Sequence, residues 1–412
     1  MKKKMFFLYI VFFVVCLFFF LPDVLSAYQR DIYREAEIMA EVREKILTNY
    51  VEDVPSEKIL KGALQGMTGI LDPYSEYLDE DAYRQLFEST EGEFIGIGIV
   101  ISIEDGVLTV VSPIDGSPSA RAGILAGDKI IAINGEATEG LTVSEAAQKL
   151  KGKRGTQLVL SVIHEGNKVA QDITIIRDLI QIHSIKNAKM LDQESKIGYF
   201  RLTKFNKHTD QEVGEAIDSL ISQGMQSLII DLRFNPGGLL DSAVDIVNYF
   251  VTEGVIVYTK GRTPDSYKVF RANDKKNYQD LHLVILVNKR SASASEIVAG
   301  ALQDYHRAIV IGNRTYGKGL VQTILKLRDG RSAIKLTTAK YYTPSGKSIQ
   351  KGKDNEGGVI PDVQVPVTPE EEKDLMQQFY ETSDKDKKNF HDRALQEAIS
   401  VLKKQSILYS IK

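Results

Sequence analysis

The spacing of apolar positions changes from segment to segment along this chain, and each change predicts a different element. Ile38, Val42, Ile46 and Leu47, then Leu60, Leu64 and Met67, recur at helical spacing, so Tyr28 to about Glu88 reads as helices. From Gly92 to about Asp178 the runs are short and strand-like. Asn134-Gly135 there predicts a tight hairpin. Thr142-Val143-Ser144-Glu145 predicts a capping box opening one helix, with Gly152 closing it. From Leu179 to Pro366 strands and helices alternate. Ile197–Leu202 and Ser227–Arg233 read as strands, the second leading into Asn235-Pro236-Gly237-Gly238. Val213, Ile217 and Leu220 mark one helix; Leu240, Val244, Val247 and Val251 mark another. Leu281–Val287 is a buried strand, and Ile297, Val298 and Leu302 stripe the helix after it. Two further strands, Leu320–Leu327 and Ser332–Thr343, meet across Arg328-Asp329-Gly330. Beyond Thr368 the chain is highly charged and ends in a helix from about Arg393 to Lys404, striped by Leu395, Ile399 and Leu402. This alternation predicts an α/β multidomain protein.

The first residues change the expected compartment. Met1-Lys2-Lys3-Lys4 precedes an uncharged apolar run from Met5 to Leu21. That run is at the short limit for a membrane span and slightly long for a signal-peptide core. Leu25-Ser26-Ala27 places a large residue where a cleavage site prefers a small one. Residues 1–27 are therefore expected to be an uncleaved membrane anchor, with the lysines inside and the rest exported. A cleaved leader would make the protein secreted. The single cysteine, Cys16, lies in this leader, so the folded part has neither a disulfide nor a cysteine metal site. The length of 412 residues implies more than one domain, and a net charge of −3 without a basic, aromatic-laced stripe argues against nucleic acid.

Two stretches carry candidate chemistry. Ser291-Ala292-Ser293-Ala294-Ser295-Glu296 sits between a buried strand and a helix. A helix N-terminus offers unpaired N–H groups and a partial positive charge to an oxyanion. The plainer alternative is a small-residue turn that caps a helix. In Thr315-Tyr316-Gly317-Lys318-Gly319-Leu320-Val321-Gln322, a lysine lies between two glycines. Free lysine has a pKa of about 10.4; in an apolar pocket its neutral amine is favoured and can take a proton from a serine hydroxyl. One helix and one short strand join the two turns, which can bring them to the same sheet edge. The glycine turn at Gly237-Gly238 also fits a nucleotide site, but it lacks a ribose-binding acid or phosphate lysine.

Together these stretches closely resemble the carboxyl-terminal processing proteases, tail-specific Ser/Lys peptidases with a PDZ domain. The likeness runs from about Arg43 to Pro366. It implies Ser293 as nucleophile, Lys318 as base and Gln322, four residues on, as the residue orienting Lys318. It implies an oxyanion hole from the N–H groups of Gly238 and Ala294, with Gly237 as the other candidate glycine, and neither cofactor nor metal. Phe94-Ile95-Gly96-Ile97-Gly98-Ile99-Val100, with Ser117–Ile124 and Gly127–Gly135, looks like a PDZ domain. A peptide adds to such a domain as a strand, with its carboxylate on the loop amides, here Gly96, Ile97, Gly98 and Ile99. The implied division is an anchor or signal segment 1–27, a helical region 28–90, a PDZ domain 91–178, a crotonase-like protease core 179–366 and a charged helical tail 367–412. The family usually has arginine before the glycine after the groove helix. Lys151 stands there and lacks the planar fork. Asp72-Pro73-Tyr74-Ser75 matches a family signature, with Tyr74 in the histidine position, and reads as a structural turn.

The expected function is exported serine endopeptidase acting on proteins with accessible carboxyl-terminal tails. The alternative is a peptide-binding scaffold with an inert protease core. A Ser/His/acid triad is disfavoured because no Gly-x-Ser-x-Gly elbow occurs and His306 would point away from Ser293. Acyl-CoA chemistry is disfavoured by the PDZ-like unit and the leader. The N-terminal helices and the final helix carry apolar stripes with no partner in their own segments. They predict a homodimer or a larger ring built from dimers.

Overall fold

The computed structural model describes residues 33–273, 277–352, 355–380 and 391–410. The expected anchor and its cleavage site lie outside these residues; among the described residues no helix is long and apolar enough to cross a membrane. The chain divides into two units: Met1–Asp79 with Ile324–Leu336, and Glu80–Thr323 with Thr337–Lys412.

In the first unit a helix over residues 33–49 and the helix Ser56–Gly69 precede a short strand, Glu76–Leu78. That strand pairs antiparallel with residues Ala333–Lys335. Asp72 closes the intervening turn by accepting from the N–H groups of Tyr74 and Ser75, both at 2.8 Å. The Asp-Pro-Tyr-Ser stretch is thus a side-chain-closed turn. Ile38, Val42, Leu47, Leu60, Met67 and Ile70 are exposed.

The second unit begins with the helix Glu80–Glu91 and a sheet in the order Ile99–Glu104, Val107–Pro113, Lys129–Ile133, Gln157–Ile163, Gln171–Ile176. Leu158, Leu160 and Val162 alternate inward and are fully buried with Ile97, Val110 and Ile130. Asn134 and Gly135 both take positive φ, as the hairpin turn between Lys129–Ile133 and Glu136–Ala137 requires. Thr142 and Glu145 form the expected capping box of the helix Val143–Leu150. The other end differs from expectation. Gly152 is not left-handed; the Arg177 guanidinium instead donates to the carbonyls of Lys149 and Leu150. Gly152 is needed for space, since a Cβ there would lie 2.8 Å from Arg177 Nε.

The larger sheet runs Ile185–Asp192, Ile197–Leu202, Ser227–Asp231, His282–Val287, Ala308–Gly312, Val363–Gln364. Only the first pairing is antiparallel. Every residue of Ile197–Leu202 and Ser227–Asp231 is buried, as expected for parallel strands covered on both faces. Val213, Ile217, Leu220, Val247, Val298 and Leu302, from three helices, join one core cluster. On the opposite face Ala394, Ala398 and Leu402 of the helix Arg393–Ser410 pack on Ile197, Tyr199, Ile229, Val284, Leu286 and Ile311. The final helix therefore has its partner within its own chain. Of its stripe Leu402 is fully buried, while Leu395 and Ile399 pack against the same cluster and stay partly accessible. A further helix not distinguished in the sequence, Pro369–Tyr380, precedes it.

Parallel strands deliver their carboxyl ends to one edge. The segments that leave Asp231, Val287 and Gly312 there are the glycine turn, the serine turn and the lysine turn.

Candidate active site

The serine turn enters the helix Ala294–Asp304 through Ser293, whose backbone has φ 56° and ψ −114°. A non-glycine residue in this region costs about 1–3 kcal/mol and is kept only where its surroundings enforce it. The three serines differ sharply. Ser291 and Ser295 are fully buried. Ser291 Oγ accepts from Asn288 N–H at 3.0 Å and donates to Leu232 C=O at 2.8 Å. Ser295 Oγ donates to Asn235 C=O at 3.0 Å. Ser293 alone of the three is partly accessible.

Backbone bonds stitch the turns together. Ala292 N–H donates to Asn235 C=O, Phe234 N–H to Asn288 Oδ1, and Tyr316 N–H to Ser291 C=O, each at 3.0 Å. The central tie is Glu296, a fully buried carboxylate one turn into the serine helix. Its Oε2 accepts from Ser293 N–H at 2.8 Å and Lys318 N–H at 2.9 Å. Its Oε1 accepts from Thr315 Oγ1 at 2.6 Å and Gly317 N–H at 2.7 Å. Burial pushes the Glu296 carboxyl above the usual glutamate range, against the opposing pull of these four donors. The acid was passed over in the sequence, although Ser293-x-x-Glu296 has the spacing of a capping box.

Lys318 is half-buried between Gly317, at φ +90°, and Gly319, where a Cβ would lie 2.6 Å from Gln350 N. Gly317 is packed against Glu356 C=O and Gly358 N, so residues 356–358 brace the lysine turn. Gln322 lies on the following strand, Leu320–Lys326, with its amide nitrogen 3.4 Å from Thr337 Oγ1.

In the glycine turn, Gly237 N–H is taken by Asn235 Oδ1 at 2.8 Å. A Cβ on Gly237 would lie 2.8 Å from Ser293 Cβ and 2.9 Å from Ala294 N. Gly238, at φ +148°, backs onto Phe205 C=O. The Gly237 carbonyl accepts from Phe205 N–H, and Leu239 N–H donates to Phe205 C=O. Gly237 thus abuts the serine turn with its own N–H occupied, while the N–H groups of Gly238 and Ala294 have no acceptor among the described residues. Immediately before this turn Arg233 is buried between Asp231 and Asp392, bonding both carboxylates at 2.6–3.1 Å. Burial alone would weaken its charge, but the two carboxylates hold it firmly protonated. Tyr199 donates to Asp231 at 2.9 Å, and the Phe379 ring stacks on Arg201. This buried ionic base was not anticipated from the sequence.

At the PDZ-like unit, the strand Ile99–Glu104 pairs on one side only among the described residues, and lies next to the helix Val143–Leu150. Gly98, at φ +76°, is pressed against Ser117, and its carbonyl accepts from Ser117 and Ser119 hydroxyls. Gly96 ends the strand Glu93–Gly96. The Ile97 side chain is 1% exposed inside the core, so this residue can offer a peptide only its backbone, whereas Ile99 is partly accessible. Lys151 pairs with Glu88 of the helix Glu80–Glu91 and sits over the Phe94 ring.

Residues 196–365 match Peptidase family S41, residues 109–163 a PDZ domain, and residues 26–82 the activating protease CtpB N-terminal domain. Over 368 residues the chain is 38% identical to the carboxy-terminal-processing protease of Bartonella bacilliformis, spanning 88% of this chain and 82% of that one. The chain belongs to the carboxy-terminal-processing proteases of peptidase family S41. It is a serine-type peptidase with an α/β multidomain fold and a PDZ domain. A Staphylococcus aureus protein described as a CtpA-like serine protease is 37% identical over 78% of this chain, which spans 63% of that relative. A solved S41 protease structure from Bacteroides fragilis, 16% identical, shares the fold with a TM-score of 0.53 over 86% of this chain and 93% of that one.

Proposed function

We propose that this chain is an exported endopeptidase that cleaves proteins after its PDZ domain takes hold of their carboxyl-terminal ends. Ser293 attacks the peptide carbonyl; Lys318 takes its proton and returns it to the leaving amine; Gln322 orients Lys318. The N–H groups of Gly238 and Ala294 receive the oxyanion. The loop Gly96–Ile99 and the open edge of the strand after it receive the tail. The domain division is the one given above, with the leader holding the catalytic part outside the cytoplasm. The observation that carries this reading is the pairing of accessible Ser293 with Lys318 through one buried carboxylate, Glu296. An inert scaffold has no use for a strained serine tied to a lysine.

The test combines labelling by a small serine-reactive phosphonate with digestion of a tailed substrate. Ile99→Trp is expected to leave labelling at the wild-type rate while raising KM for the tailed substrate about tenfold or more, the equivalent of roughly 1.4 kcal/mol of binding. Unchanged digestion by the Ile99 variant would remove the groove as tail sensor. Loss of labelling together with digestion would place Ile99 in the catalytic path instead.

We also assign the exposed apolar face of the N-terminal helices, Ile38, Val42, Leu47 and Leu60 among it, to homodimer formation. Sedimentation of the chain from Tyr28 onward should give a dimer or a multiple of it. A monomer at micromolar concentration would refute the assignment.

A further inference from the structure

The backbone of the two proposed catalytic residues is held by a pair of side chains, Glu296 and Tyr341. Glu296 Oε2 takes the N–H groups of both Ser293 and Lys318. The matching carbonyls meet a second side chain. Tyr341 Oη lies 3.1 Å from Ser293 C=O and donates a short hydrogen bond to Lys318 C=O. Each residue's donor and acceptor are thus engaged by the same two side-chain groups.

Tyr341 comes from a third element, the strand Ala333–Tyr342. Its N–H donates to Gly319 C=O at 3.0 Å, fixing it beside the lysine turn. Its partner on the other side is Thr259, and its ring is 1% exposed within the main core. Burial, reinforced by the nearby Glu296 charge, pushes its ionisation far above the usual tyrosine range, so it remains a donor. The Ser293 carbonyl also accepts the N–H groups of Glu296 and Ile297, at 2.8 and 3.0 Å. Loss of the phenol would therefore fall chiefly on Lys318.

Resting on the Ser293/Lys318 reading, we propose that Tyr341 is a positioning residue that works with Glu296 as a two-sided clamp, keeping the nucleophile turn and the base turn in one register. Because each clamp group touches both turns, a shift of the lysine turn is opposed by the serine turn. A small misplacement of reacting groups costs about 100-fold in rate, so the register bears directly on turnover and hardly on substrate capture.

The test uses the full-length protein with Tyr341→Phe, which removes one oxygen and keeps the ring, and Tyr342→Phe as control. Tyr342 stacks on Tyr258 with ring centroids 5.1 Å apart and takes no part in the clamp. Well below the melting temperature, Tyr341→Phe is expected to lower kcat about 10- to 100-fold. KM for a tailed peptide should stay within about twofold, and phosphonate labelling should slow in parallel with kcat. Tyr342→Phe should match wild type in all three. A purely structural hydroxyl would lower the melting temperature and leave kcat and labelling of the folded protein unchanged, which would overturn the proposal. Glu296→Gln should also slow labelling, and the double variant should lose less than the product of the two single losses, since both act on one register. Fully multiplicative losses would refute a shared clamp. Should Glu296→Gln fail to fold, Tyr341→Phe alone decides. Wild-type turnover in Tyr341→Phe beside inactive Ser293→Ala and Lys318→Ala would sink the clamp and leave the dyad standing. Activity in those two variants would sink the dyad itself.

Discussion

Ser293→Ala is expected to bring cleavage of an unfolded or tailed polypeptide down by a factor on the order of 10⁴ or more, with little change in melting temperature. Ser293 is partly accessible, and alanine meets the same backbone strain at φ 56° that serine does. The neighbouring serines should behave in the opposite way. Ser291→Ala strands the Asn288 N–H and takes one donor from the Leu232 carbonyl, which keeps the Asn235 N–H; Ser295→Ala takes one donor from the Asn235 carbonyl, which keeps the Ala292 N–H. The unpaired buried Asn288 N–H costs about 1–3 kcal/mol, so the loss should be larger for Ser291→Ala than for Ser295→Ala. Both variants should melt earlier yet still cut. Cleavage assays and melting curves on the three single variants separate the cases. Cleavage surviving in Ser293→Ala but not in Ser295→Ala would mean the motif has been read out of register.

This contrast marks what the sequence could and could not convey. The serine turn was legible because the apolar run Leu283–Val287 reads as a strand buried on both faces, and small residues followed by a striped helix read as its exit. The division of labour among Ser291, Ser293 and Ser295 was not legible in the sequence, since it depends on carbonyls at Leu232 and Asn235, in the segment that follows the strand Ser227–Asp231. Local chemistry was read well where it is local. The Asn134-Gly135 turn and the Thr142–Glu145 capping box each involve residues close in the chain. Where a partner is distant, the local reading went astray. The end of the helix Val143–Leu150 looked like a glycine cap because Gly152 follows it, yet its closing group is Arg177.

The base of the glycine turn makes the same point at longer range. Asp231 and Arg233 stand two residues apart in an otherwise apolar strand, a signal of paired buried charge. The third member, Asp392, lies 159 residues from Arg233 along the chain. It reaches the cluster because the final helix lies across the back of the sheet. That helix was read as an assembly surface because its stripe had no partner nearby in sequence. Its partners Ile229, Val284 and Ile311 belong to three strands whose opposite faces had already accounted for their hydrophobicity. Ile97 shows the limit at the level of one side chain: the motif placed it in the binding loop, and only packing reveals that its side chain belongs to the core.

Lys318→Arg is expected to be inactive at every pH that the fold tolerates, and Lys318→Ala likewise, each by a factor comparable to that of Ser293→Ala. A general base must be neutral when serine attacks, and guanidinium, with a pKa above about 12, keeps its proton throughout. Gly317 and Gly319 bring the chain against Gly358 N and Gln350 N, and the Lys318 backbone is fixed by Glu296 and Tyr341. The substitution should leave the fold intact because the Lys318 side chain is only half-buried, and its N–H and C=O bonds survive any change beyond Cβ. The measurement is phosphonate labelling and tailed-substrate digestion across pH 6 to 10 (a chosen range of about four units around neutrality), with PDZ-dependent peptide binding followed in the same samples. Binding should persist while both reactivities vanish. Digestion by Lys318→Arg at a rate near wild type would mean that another group accepts the serine proton, and the mechanism proposed for this chain would have to be abandoned.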